Sequence, residues 1–145
     1  MKEKFFLKIL LFFCLTFLSL HACKDKNDPI PDTLVDFYIN INDPQYSDLQ
    51  AVGNSIYVYG GVAGIIIYRE SMTDFVALDR CCSFQPENRC AVKVDSSNTF
   101  LLVCPCCDSE FIINNGSVNK NPASAPLKLY RTSFANDVLH VSNYV

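Results

Sequence analysis

Apolar and polar side chains alternate along much of this chain with a period of two. In VDFYINI (35–41), Val35, Phe37, Ile39 and Ile41 share one face, the pattern of a half-buried strand. NDPQYSDLQAVGNS (42–55) is turn-rich, with room for one helical turn. IYVY (56–59) is a short strand stopped by Gly60 and Gly61. GIIIYRE (64–70) and DFVALD (74–79) read as paired strands across Ser71, Met72 and Thr73. Further strands are expected at 91–95, 99–103, 110–113, 127–131 and 138–142, with turns at DSSN, NNGS and SFAND. No segment sustains a helical period, and there is no internal repeat or second domain. Short strands at short spacing predict an all-β domain, a sandwich or small barrel.

The first residues follow another pattern. Lys2 and Lys4 precede, and Lys8 lies near the start of, the apolar run FFLKILLFFCLTFLSL, which ends at LHAC (20–23). That order is a secretory signal, too short and interrupted for a secure transmembrane span. LHAC resembles a bacterial lipobox, so residues 1–22 are expected to be removed with Cys14, and Cys23 to carry a lipid. Residues 23–34 then form a flexible tether, and 35–145 the domain. Lys and Asp of CKDKNDP resemble the charged tags of lipoproteins on the outer surface of some Gram-negative cells. The expected location is therefore the bacterial cell envelope, at the outer membrane, with the membrane itself as partner through the N-terminal lipid.

Charge narrows the partners further. Without its leader the chain keeps nine basic and fourteen acidic groups, a net of −5. An acidic domain of this kind is a poor ligand for nucleic acid. Export also places it in an oxidising compartment. Six cysteines remain, Cys81, Cys82, Cys90, Cys104, Cys106 and Cys107, all within 27 residues. They fall in two clusters, LDRCCSFQPENRC and FLLVCPCCDSEF, each after a strand. Cys104 and Cys107 have the C-x-x-C spacing that lets two thiolates on one turn reach one metal. Two such loops can close over one ion, or cross-link by disulfides, for which six cysteines allow 15 pairings.

The second cluster resembles the second box of the Rieske iron–sulfur domains, C-P-C-H-G-S, here CPCCDSEF, followed by GSV (116–118) and NPASAPLKLY (121–130). ALDRCCSF (77–84) is similar to their first box, C-x-H after a strand ending in Ala-x-Asp-Arg. GGVAGIIIYR (60–69) also looks like the start of Rieske-type lipoproteins. The resemblance covers roughly 62–143. It implies two small antiparallel sheets with a small cysteine-rich site subdomain. It places Cys82 and Cys104 at the two cysteine ligands, Phe84 at the first histidine, Cys107 at the second, and Asp108 at the glycine. Cys106 matches the cysteine that forms a disulfide between the loops in many members. Its usual partner would lie near Glu87, and Cys90 is the nearest substitute.

A Rieske centre needs two histidines, and both places lack one, so the mixed-ligand cluster cannot form. Three uses of the thiols follow. A structural four-thiolate site, with Zn the expected metal, would use Cys82, Cys90, Cys104 and Cys107. Disulfides alone would make a stapled envelope binding module. A [2Fe–2S] cluster on four cysteines would transfer electrons, at a potential falling from the Rieske range towards about −400 mV. The reading preferred here is a non-catalytic domain, at most an electron-transfer component of an oxidoreductase system. Ser83 and Ser109 have no histidine nearby in sequence for a nucleophilic role. His140 is expected on the last strand, Asp79 and Arg80 as a local ion pair, and Tyr57, Tyr59, Tyr68 and Tyr130 in strand-face packing. Asn115 of the Asn-Gly-Ser sequence is expected in a turn.

Overall fold

The computed structural model describes residues 28–143, so the leader and Cys23 lie outside the described residues. Ten strands form two antiparallel sheets: β1 (Asp36–Asn40), β2 (Ser55–Val58), β3 (Ile65–Arg69), β4 (Phe75–Asp79), β5 (Lys93–Val94), β6 (Leu101–Val103), β7 (Glu110–Ile112), β8 (Val118–Lys120), β9 (Leu129–Ala135) and β10 (Val138–Ser142). The larger sheet runs β1-β10-β9-β4-β3-β2, and the smaller, inserted between β4 and β9, runs β5-β6-β7-β8. The all-β, two-sheet expectation is met. Within 42–55, where room for one helical turn was read, stands a 3-10 helix, Pro44–Gln50.

Both faces of β3 and β4 are buried, and their period of two divides the side chains between two cores. Ile66, Tyr68, Val76 and Leu78 face the smaller sheet, where they meet Leu102, Phe111, Ile113, Leu127 and the cysteines Cys82, Cys90 and Cys104. Ile65, Ile67, Phe75 and Ala77 face the concave side of the larger sheet, with Val35, Ile39, Ile41, Leu139 and Val141. This explains the unbroken apolar run in GIIIYRE: a strand between two cores has no solvent side. The hairpin between β9 and β10 turns on Asn136 and Asp137, both at positive φ, as a two-residue turn matched to strand twist requires.

Three details depart from the sequence reading. β8 lies in a segment for which no strand was expected. Its contribution to the apolar face comes from one residue, Val118, so no alternation announces it. Residues 28–34 pack onto the domain, although they read as part of a flexible tether. Ile30 is buried, and the ammonium of Lys128 bridges Asp28 (3.1 Å) and Asp32 (2.5 Å) and donates to the Ile30 carbonyl (3.3 Å). Burial disfavours the charged form of Lys128, but the two carboxylates outweigh it and raise its pKa. Lys128→Ala is expected to cost about 1 kcal/mol, since both aspartates are partly exposed, and to speed amide exchange at residues 30–35 alone. Exchange that speeds throughout the domain would show that this strap is not a local unit. Finally, Tyr68 and Tyr130 are buried as expected, but Tyr57 is half exposed and Tyr59 fully so.

Candidate metal centre

Two loops carry the cysteines, and sheet pairing brings them to one tip. Arg80 follows β4 and Val92 precedes β5, with Val92 N–H donating to the Arg80 carbonyl and Cys81 bridged to Ala91. Cys82 N–H donates to the Cys90 carbonyl at 2.8 Å, closing the neck of a loop whose far end is a single 3-10 turn, Pro86–Asn88. The chain then returns as β5 beside β6, with Lys93 opposite Val103, so Cys104 leaves its strand next to that neck. Cys104 N–H donates to the Ser109 carbonyl, and Asp108 N–H to that of Cys104, folding the second loop tightly. Asp108 sits at φ +58°. This is the left-handed conformation that glycine adopts freely and aspartate tolerates better than most residues, so the exchange of glycine for Asp108 keeps the turn.

The sulfurs of Cys82, Cys104 and Cys107 lie within 4.8 Å of one another, with Cys82 and Cys107 at 3.6 Å. Cys90 is joined to Cys106, with α-carbons 6.3 Å apart. The structure therefore assembles three of the four thiols expected around one metal. Cys90 is corrected as the fourth, because a sulfur held in a disulfide is not a thiolate donor. Cys81 turns away: its thiol points to the Pro86 carbonyl at 3.5 Å, and burial, then the Asp79 carboxylate, push its pKa up to about 11. Burial and the hydrogen bond with Cys104 also raise Cys82. Burial opposes ionisation of Cys107 too. There the hydrogen bonds with Ser109, and with Cys104 and Cys82, prevail and lower its pKa. Cys107 is also the least buried of the three. In metal-free protein near pH 7.5, iodoacetamide is accordingly expected to label Cys107 before Cys82, Cys104 or Cys81. Peptide mass spectrometry finding Cys81 labelled first would contradict this arrangement.

Sequence reasoning missed the group that holds the first loop in place. Asp79 was expected to pair with Arg80; instead its fully buried carboxylate accepts from Val62 N–H (2.6 Å), Ala63 N–H (3.3 Å), Cys81 N–H (2.8 Å) and the Tyr130 hydroxyl (2.7 Å). Burial, then the adjacent carboxylate, raise the Tyr130 pKa. Arg80 lies instead over the Tyr57 ring, 3.9 Å from its centroid, and donates to the Val92 carbonyl. Gly61 (φ +60°) is required here, because a β-carbon would collide with the Asp79 carboxylate and the Tyr130 hydroxyl. Of the serines, Ser83 Oγ donates to the Ala125 carbonyl and Ser109 Oγ accepts from Ala123 N–H, tying the 121–127 loop to both cysteine loops. His140 is remote in role, paired with Asp36 at 2.7 Å and stacked on Tyr38.

No family model and no curated protein matches the chain. Solved structures do. The cyanobacterial plasma membrane Rieske protein PetC3 from Synechocystis PCC 6803 superposes with a TM-score of 0.53 at 25% identity, over 66% of this chain and 92% of that one. The fold is Rieske-like. The ferredoxin of carbazole 1,9a-dioxygenase from Nocardioides aromaticivorans IC177 shares the fold at 14% identity and a TM-score of 0.50, over 77% of this chain and 98% of that one.

A [2Fe–2S] group can be tested against the residues at this Rieske-like tip. By the sequence resemblance, Phe84 stands at one of the four ligand places, and a phenyl ring offers no donor. By the same resemblance Cys82 and Cys107 would serve different irons, and their sulfurs stand 3.6 Å apart. That separation suits two ligands of one ion: a tetrahedral centre with metal–sulfur bonds of about 2.3 Å has sulfur–sulfur edges of ~3.8 Å. The described residues bring together three thiols, Cys82, Cys104 and Cys107, that could hold a metal ion.

Proposed function

We propose that this protein is a lipid-anchored, non-catalytic Rieske-like domain whose tip holds one thiophilic metal ion on Cys82, Cys104 and Cys107, with Zn(II) the expected occupant. The 3.6 Å separation of the Cys82 and Cys107 sulfurs carries the reading. Three thiolates from two loops join segments 22 residues apart in sequence, so the ion ties the tip together and couples binding to folding. Ser109 contributes a hydroxyl 3.1 Å from Cys107 Sγ, in position to donate to the thiolate. With Cys90 bridged, the protein supplies three donors, and solvent completes the coordination.

The fold supports a second reading, a [2Fe–2S] electron-transfer protein, because the solved structure at 25% identity is described as a Rieske protein. The ligand shortfall at Phe84 weighs against it. Absorbance and metal analysis of anaerobically purified protein separate the two. One colourless Zn per chain supports the single-ion site. Two irons per chain with visible charge-transfer bands would replace it with the cluster. No metal, with Cys82 and Cys107 oxidised to each other, would leave a disulfide-stapled module.

The anchor rests on the LHAC sequence and lies outside the described residues. Cys23→Ala is expected to move the protein from the membrane to the soluble fraction. Unchanged fractionation, with no lipid mass on the N-terminal peptide, would remove the lipoprotein reading and its outer-membrane assignment.

A further inference from the structure

Cys104 belongs to two sulfur groups at once. Its sulfur lies within 4.8 Å of Cys82 and Cys107 on one side, and within 4.8 Å of both sulfurs of the Cys90–Cys106 bridge on the other. Cys90 is also the backbone partner of Cys82, across the neck of the first loop. Of the three proposed ligands, only Cys104 has its sulfur within 4.8 Å of that of Cys90. Released from Cys106, the Cys90 side chain must turn towards Cys82 and Cys107 to become the fourth.

Building on the three-thiolate reading, we infer that the Cys90–Cys106 disulfide sets the coordination number of the site: three thiolates while the bridge is closed, four when a dithiol reductant opens it. The two halves of the bridge differ in access. Cys106 is exposed, whereas Cys90 is buried in the core beside Cys104. A thiolate of the reductant attacks the accessible Cys106 sulfur, the S–S bond breaks, and Cys90 leaves as a thiolate. The second thiol of the reductant then attacks its own sulfur in the mixed disulfide. This releases Cys106 as a thiol and closes the reductant into a cyclic disulfide. Two electrons pass from the dithiol to the bridge. Cys90 then completes a closed four-sulfur site, while Cys106 stays at the surface. The site thereby becomes a metal centre that tightens when a dithiol opens the bridge and loosens when the reverse exchange, with a disulfide as the two-electron oxidant, closes it.

The experiment uses Co(II) as a spectroscopic probe, with Zn(II) competition to measure affinity, on the mature chain under argon. Four samples are compared: wild type with the bridge intact, wild type reduced by a dithiol that is then removed, Cys106→Ser, and Cys90→Ser. The reduced wild type and Cys106→Ser are expected to bind more tightly than the intact protein by on the order of tenfold to a hundredfold. Loss of even an outer-shell partner changes affinity by that much. Their sulfur-to-cobalt charge-transfer band should grow in proportion to a fourth thiolate. Cys90→Ser should keep the three-thiolate spectrum. Cys106→Ser should need no reductant to show the tight form. If it does not fold, the reduced wild type decides the matter.

Equal affinity and identical spectra in intact and reduced wild type would overturn the inference and leave the three-thiolate site standing. Tightening in Cys90→Ser as well would also overturn it, since the gain would then come from a loosened loop or from Cys106. Metal bound in no sample would overturn both the inference and the site on which it rests.

Discussion

Cys82→Ser, Cys104→Ser and Cys107→Ser are each expected to abolish stoichiometric metal binding and to lower the stability of the metal-loaded protein by about 3–5 kcal/mol. Two contributions combine. The lost thiolate removes part of the binding free energy, and the remaining buried thiolates lose the cation that balances them. In metal-free protein the same substitutions are expected to cost only about 1–2 kcal/mol, the penalty of a hydroxyl where a buried thiol stood. Denaturant melts of each variant with and without metal measure both numbers. Cys81→Ser serves as the contrast. Its sulfur faces the Pro86 carbonyl, away from the cluster, and a serine hydroxyl can make the same hydrogen bond. It should keep the metal and lose about 1 kcal/mol or less. Equal, mild losses at all four positions would reject an organised centre.

The second large effect is expected at Asp79, which lies outside the three-thiol site. Asp79→Ala should destabilise the domain by about 3–5 kcal/mol whether or not metal is present. It strips the acceptor from three backbone N–H groups and a phenol in a site with no exposure. Asp79→Asn keeps the volume but turns an amide donor towards groups that are all donors, and about 2–3 kcal/mol is the expected cost. Because Cys81 N–H is one of the four partners, the first cysteine loop should loosen along with the loop at 60–64. Amide exchange accelerating in both loops would report this. A melt within about 0.5 kcal/mol of wild type would mean that water replaces the carboxylate without penalty.

The strands were legible wherever a face had to be buried. Val35, Phe37, Ile39 and Ile41 alternate because the other face of β1 meets solvent, and GIIIYRE announces a strand buried on both sides. In the smaller sheet β5, β6 and β7 fall within expected strands, and only β8 was missed, its three residues being too few for a period to show. The cysteine spacing and the family-like boxes pointed to one tip, and the three facing sulfurs lie there. The status of Cys90 was open, because a thiol ligand and a disulfide partner look alike in sequence and differ only in which sulfur the loop presents. Asp79 was misjudged for a related reason. An Asp–Arg pair invites an ion-pair reading, but adjacent strand residues point to opposite faces. Its true partners, Val62, Ala63 and Tyr130, are 16 to 51 positions away. The docking of 28–34 rests on one buried apolar residue, Ile30, and on polar partners distant in sequence, Lys128 and Asn143.

The central claim is that one thiophilic ion sits among Cys82, Cys104 and Cys107. X-ray absorption at the edge of the bound metal, on protein purified anaerobically with its bridge intact, tests it most directly. The account predicts three sulfur scatterers at about 2.3 Å, a lighter atom completing the shell, and no second metal nearby. An iron edge with a metal–metal vector, or a metal whose shell contains no sulfur, would contradict it.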